Sequence, residues 1–132
     1  MTEQERIDKV NLLRAEGYNC AQTVAMAFSD LLKTDDSAAA RALAGFGGGV
    51  GAQGEVCGVV SAFAYVAGML GDPNPKKKAD TYRTVRELTE PFRLANGCIT
   101  CRELKGKATP VPCDELIRQG VRIIHSRYCT DD

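Results

Sequence analysis

Apolar residues recur along this chain at helical rather than strand spacing. Ile7, Val10 and Leu13 share one face of a segment opened by Thr2-x-x-Glu5 and stopped by Gly17, which predicts an amphipathic helix over 2–16. Asn19, with Gln22 three positions on, starts a second helix carrying Val24, Ala25, Phe28, Leu31 and Leu32. Asp35, Asp36 and Ser37 offer the cap of an alanine-rich third, which Gly45 ends. A helix expected from Gly54 or Glu55 to about Leu70 is apolar on nearly every side, the mark of a buried central helix. Gly71-Asp72-Pro73-Asn74-Pro75 turns the chain after it. Asn74 and Pro75 open a long helix with Tyr82, Val85, Leu88 and Phe92 on one side; Pro91 is expected to kink it or end it early, and Asn96-Gly97 to stop it. Thr100-x-x-Glu103 is a further capping box, and Pro110-Val111-Pro112 introduces a last helix to about His125. Val121-Arg122-Ile123-Ile124 is rich in β-branched residues, but it continues the helical pattern of Leu116, Ile117 and Gly120. With no sustained strand, repeat or low-complexity linker, the pattern predicts an all-α fold. It is a single compact bundle of about six or seven helices, with a glycine-rich loop before the central apolar helix and one domain over 1–132.

Charge narrows the function classes. Lys plus Arg and Asp plus Glu stand at 17 each, so no field gathers nucleic acid or an anionic membrane surface. The run Lys76-Lys77-Lys78 reads as a solvated helix face. The first residues are charged and lead into no apolar signal core, and the longest nearly uncharged run, Val56 to Leu70, is shorter than the roughly 20 residues of a membrane span. A cytoplasmic protein without membrane insertion is expected, and homo-oligomerisation stays open. In that reducing compartment, six cysteines in 132 residues point to metal ligands or redox-active thiols before structural disulfides.

The cysteines fall at particular places on the helical map. Cys20 follows the cap Asn19, Cys57 lies in the first turn after Gly54, Cys101 follows Thr100, and Cys113 follows Pro112. Unpaired amides and a partial positive charge at a helix start favour a thiolate by about 0.3 to 1 kcal/mol, a modest shift for each. Four converging thiolates would repel one another unless a cation or cluster took up their charge or they paired as disulfides. Cys98 follows Gly97 and Cys129 lies in a polar tail with Asp131 and Asp132, so both are expected to be peripheral. Cys98-Ile99-Thr100-Cys101 is nonetheless a CxxC, which makes Cys98 and Cys101 the candidates for thiol catalysis. Arg102 stands where a c-type haem site needs histidine, and His125, the single histidine, reads as a satisfied core or surface residue.

The glycine-dense stretch Gly45 to Gly58 formally contains GxGxxG at 49–54, but an alanine-rich helix precedes it where a dinucleotide site needs a strand. The glycines are better read as clearance. Gly47, Gly48, Gly49, Gly51, Gly54 and Gly58 would let backbone approach a cofactor and aim amides at its anionic sulfurs.

Gly17-Tyr18-Asn19-Cys20-Ala21-Gln22, Gly45-Phe46-Gly47-Gly48-Gly49 through Gly54-Glu55-Val56-Cys57-Gly58, Cys101-Arg102-Glu103-Leu104 and Cys113 before the final helix resemble the C-GCAxxG-C-C family of redox-active proteins. The resemblance implies that Cys20, Cys57, Cys101 and Cys113 are the signature cysteines. This chain departs from the family pattern at Val59 and Ala62, where Ala and Gly are usual. Three functions remain open. The first is an iron-sulfur cluster on the four signature cysteines that passes electrons to an unidentified partner protein. The second is metal-free thiol-disulfide exchange, with Cys101 as nucleophile and Cys98 or a signature cysteine as resolver. The third is a structural zinc site, which the spread of the ligands fits less well than two short knuckles would.

Overall fold

The computed structural model describes residues 1–129, so Asp131 and Asp132 of the expected polar tail lie outside the described residues. The described residues form α1 (Glu3–Ala15), α2 (Cys20–Met26), α3 (Ser29–Leu32), α4 (Asp36–Leu43), α5 (Gly58–Leu70), α6 (Lys78–Asn96), α7 (Cys101–Lys105) and α8 (Cys113–Tyr128). Short 3-10 turns cover Ala44–Phe46 and Pro75–Lys77. Among the described residues no strand forms; a single antiparallel bridge joins Val56 to Thr100. No helix among them is long and apolar enough to cross a membrane.

Local capping explains most boundaries. Thr2 and Glu5 close a reciprocal capping box on α1, and Asn19 and Gln22 do the same on α2. The Asp35 carboxylate accepts from the Ala38 amide to start α4, and Gly97, at φ 79°, ends α6. The expected second helix is divided: Phe28, at φ −119° and ψ 19°, separates α2 from α3. α6 runs through Pro91 without ending early. Pro91 and Glu87 are both exposed, so the carbonyl that loses its donor faces water. Thr100 does not form the expected backbone cap; its hydroxyl donates to the Glu103 carboxylate at 2.7 Å instead.

The largest correction concerns α5, which starts at Gly58 and not at Gly54 or Glu55. Residues 54–57 are drawn into backbone pairing with 99–102, so they cannot also enter the helix. The chain before them makes a left-handed turn, with φ between 58° and 75° at Gly48, Gly49, Val50, Gly51 and Ala52. Val50 and Ala52 there cost about 1–2 kcal/mol each relative to ordinary backbone.

α5 is the central helix and packs against α2, α6 and α8, while α1 lies on α8 and α2. Phe63 of α5 meets Phe92 of α6 edge to face, with centroids 6.1 Å apart. Leu13, Ala25, Met26, Ala39 and Leu43 form a smaller cluster around α2 and α4. At the α5–α8 crossing, Val59 fills the space that Gly120 leaves open. A Cβ on Gly120 would stand 2.3 Å from Val59 Cγ1. Gly120→Ala is therefore expected to lower stability by about 1–3 kcal/mol. Val59→Ala in the same chain should recover part of that loss, and urea unfolding of the single and double variants measures both.

Candidate functional site

Each signature cysteine is delivered by a helix start. Cys20, Cys101 and Cys113 are the first residues of α2, α7 and α8, and Cys57 is the residue immediately before α5. Three backbone bonds set the starts of α5 and α7 side by side. The Cys57 amide donates to the Ile99 carbonyl at 2.8 Å, the Cys101 amide to Glu55 at 2.6 Å and the Arg102 amide to Gly54 at 3.1 Å. Cys20 comes close because Gly58 leaves room for it; a Cβ on Gly58 would lie 2.9 Å from the Ala21 nitrogen and 3.1 Å from Cys20 Cβ.

Arg14, in the last turn of α1, binds the remaining pair of segments. Its Nε donates to Asp114 Oδ1 and its Nη1 to the Tyr18 carbonyl, both at 2.8 Å. One side chain thereby holds the residue after Cys113 and the turn that leads into Cys20. Asn19 adds a link to the segment before the glycines, donating through Nδ2 to the Ala44 carbonyl at 3.1 Å.

Cys20, Cys57, Cys101 and Cys113 all line one small cavity of about 40 Å³. Leu104, Val111 and Leu116 give it an apolar wall, and Lys105, exposed on α7 one turn after Cys101, stands on its edge. Cys98 and Cys129 do not line it. The Cys98 thiol donates to the Asn96 carbonyl at 3.8 Å, and Cys129 Sγ lies 3.8 Å from Arg6 Nη2. The CxxC therefore does not bring its two sulfurs to the same cavity.

Of the six glycines, Gly48, Gly49 and Gly58 line the cavity, whereas Gly47, Gly51 and Gly54 lie off its wall. At Gly49 the clearance serves the protein's own atoms: a Cβ there would stand 2.6 Å from the Glu55 nitrogen and 2.8 Å from Cys101 Cβ. The amides of Gly51 and Gly54 are already engaged, donating to the carbonyls of Gly45 and Gly48 at 2.8 and 3.1 Å. They are not free to receive a cofactor's sulfurs.

The environments of three of the thiols favour different charge states. A hydrogen bond between Cys20 and Cys113 pushes Cys20 far up, with burial adding to the effect. The same bond pulls Cys113 well below the ordinary thiol range, helped by the positive charges of Lys105 and Arg14. Burial pushes Cys57 up to about 11, against the nearby amides of Val59 and Val60. Among the described residues, no three Cys, His, Asp or Glu side chains are grouped so as to hold a metal ion.

Sequence reasoning did not single out Lys105 or Arg14. Lys105 had a signal, being four residues after Cys101 and so on the same helix face. Arg14 had none, because Asp114, the partner that ties it to the start of α8, lies far along the chain. Neither the curated proteins nor the solved structures contain a match to this chain. The family model described as "Putative redox-active protein (C_GCAxxG_C_C)" matches residues 18–127, and the chain belongs to that redox-active family.

Proposed function

We propose that Cys20, Cys57, Cys101 and Cys113 ligate an iron-sulfur cluster and that the protein carries electrons to and from a partner protein. The observation that carries this reading is selection: of six cysteines, the four signature residues line one cavity and the other two lie outside it. The donor set fits in kind, being four thiols without a competing carboxylate on the cavity wall.

When bound, such a cluster supplies one-electron transfer. The chain's own contribution is positional and electrostatic. Leu104, Val111 and Leu116 exclude water, while Lys105 and Arg14 favour negative charge at the Cys113 side. Ligation requires thiolates, so Cys20 and Cys57 must release the protons that burial and the Cys113 contact make them keep. Loading is therefore expected to improve as pH rises from neutral toward 9.

The thiol-disulfide reading is favoured by a separate observation: Cys20 and Cys113 line the same cavity, beside Lys105, and Cys113 is pulled below the ordinary thiol range. In this scheme the Cys113 thiolate attacks a partner disulfide, forms a mixed disulfide and expels one partner thiolate. Cys20, after losing its proton to solvent, attacks the Cys113 sulfur and expels the second partner thiolate. The partner gains two electrons and the chain ends with a Cys20–Cys113 disulfide. The sequence offered Cys101 as nucleophile with Cys98 or a signature cysteine as resolver; Cys98 lies outside the cavity, which leaves a signature cysteine as resolver, and here Cys113 takes the place of Cys101 as nucleophile.

Two measurements separate the readings. Protein purified without oxygen should contain iron and acid-labile sulfide. Cys→Ser at 20, 57, 101 or 113 should remove most of both, while Cys98→Ser and Cys129→Ser should leave them intact; iron-free protein after anaerobic reconstitution would overturn the cluster reading. In metal-free, reduced protein, limiting alkylation at neutral pH should modify Cys113 before Cys20 and Cys57. Cys20→Ala should move the Cys113 alkylation profile to higher pH, and Lys105→Met should move it less; mass mapping of the labelled peptides reads both.

A further inference from the structure

Size, softness and charge restrict what the cysteine cavity can take. At about 40 Å³ it has room for no more than a few heavy atoms, so the reacting group is atom-sized and arrives on a larger donor. Its wall offers four thiols, three aliphatic side chains and the Lys105 ammonium, with no carboxylate. Thiols select a soft group, and the uncompensated positive charge selects an anionic one. Among the described residues Lys105 forms no ion pair with a carboxylate. Among them also, the amides of Gly48 and Gly49, adjacent left-handed residues on the same wall, donate to no protein acceptor. Successive amides in such a turn are donors for an anion. A single soft metal ion would meet the size but not the charge, and no three Cys, His, Asp or Glu side chains among the described residues are grouped to hold one.

We infer that the cavity accepts the outer sulfur of a persulfide and carries it as a persulfide on Cys113. That sulfur is one atom, soft and readily ionised, and it bonds to one cysteine at a time, so it needs no grouped ligands. The carrier role rests on the thiol-exchange reading of the same cysteines and not on a cluster. Cys57 and Cys101 are buried, whereas Cys20 and Cys113 are half-buried and within reach of a donor. Lys105 and Arg14 bring their positive charge to the Cys113 side.

In loading, the Cys113 sulfur attacks the outer sulfur of the donor persulfide. The donor's S–S bond breaks, a new S–S bond forms on Cys113, and the donor leaves as a thiol with the proton that Cys113 gave up. No electron is gained or lost overall, and delivery to an acceptor thiol is the same exchange in reverse. Release as sulfide uses Cys20: its sulfur attacks the inner sulfur of loaded Cys113, expels hydrosulfide and leaves a Cys20–Cys113 disulfide. The carried sulfur then gains the two electrons that the two thiols lose. Leu104, Val111 and Leu116 screen the loaded sulfur from bulk thiols.

The test mixes the full chain, metal-free and reduced, with glutathione persulfide and follows it by intact mass and by mapping of alkylated peptides. A gain of one sulfur atom is expected on Cys113, and under excess glutathione it should outlast the same adduct on Cys98 or Cys129 by about tenfold or more. Cys113→Ser should lose the retained sulfur, and Cys20→Ser should keep it while releasing less hydrosulfide. Lys105→Met, at an exposed position that leaves the fold intact, should slow loading several-fold. A chain that gains no sulfur on Cys113, or loses it as fast as from Cys98 and Cys129, overturns the inference. Oxidised glutathione, given to the same preparation in parallel, separates the two levels. A Cys20–Cys113 disulfide formed there without any retained sulfur in the first arm overturns the carrier role and leaves thiol exchange standing, whereas failure in both arms overturns both.

Discussion

The backbone pairing between residues 54–57 and 99–102 is the constraint on which the site depends. Its three hydrogen bonds join segments far apart in the chain and make α5 and α7 begin at the same place, each with a cysteine. At roughly 0.5–1.5 kcal/mol net apiece, they are comparable with the cost of holding Val50 and Ala52 in left-handed backbone. The strained turn and the lacing therefore form one unit. The turn carries Gly49 beneath Cys101 and Glu55, and the lacing holds the turn closed.

The opposite ends of α2 and α8 are fixed by different chemistry. Arg6 is buried to 1% exposure, and its guanidinium stacks over Phe28 at 4.3 Å. It donates to both oxygens of Asp30, to the Ala27 carbonyl at 2.7 Å and to His125 Nδ1 at 3.2 Å. Burial alone would push Asp30 up, but the Arg6 hydrogen bonds and charge hold it below the usual carboxylate range. A buried guanidinium is tolerable when each of its donors is engaged in this way. Since α2 and α8 start at the cavity and end near Arg6, the network sets the relative register of the two helices that carry Cys20 and Cys113.

What could be read from the sequence follows the range of the interaction concerned. Thr2, Asn19 and Asp35 were legible as caps because each acts on an amide within four residues. The four signature cysteines were legible as helix starts for the same reason. The start of α5 was not, because Gly54 and Glu55 bond to residues beyond α6. Arg6 falls beside Ile7 in an otherwise polar stretch, and nothing local distinguishes it from a solvated arginine. Pro91 does not end α6 early: it removes one hydrogen bond within the helix, at Glu87, which is exposed. Val59 and Gly120 illustrate the same limit: each is visible in sequence, but their fit at the α5–α8 crossing is a tertiary contact.

Helix starts explain where the sulfurs are but not what charge they carry. Cys57 immediately precedes α5, close to the amides of Val59 and Val60, and is still pushed up to about 11. Desolvation outweighs the dipole there, as expected when a helix start contributes about 0.3–1 kcal/mol and each pKa unit is about 1.4 kcal/mol. The repulsion foreseen for four thiolates is eased where a thiol holds its proton, which burial favours at Cys20 and Cys57, while the charges of Lys105 and Arg14 favour the thiolate at Cys113. Any ligand that claims all four sulfurs must supply enough positive charge to displace those protons, and a partner disulfide that claims one finds Cys113 the most readily ionised of the shifted thiols.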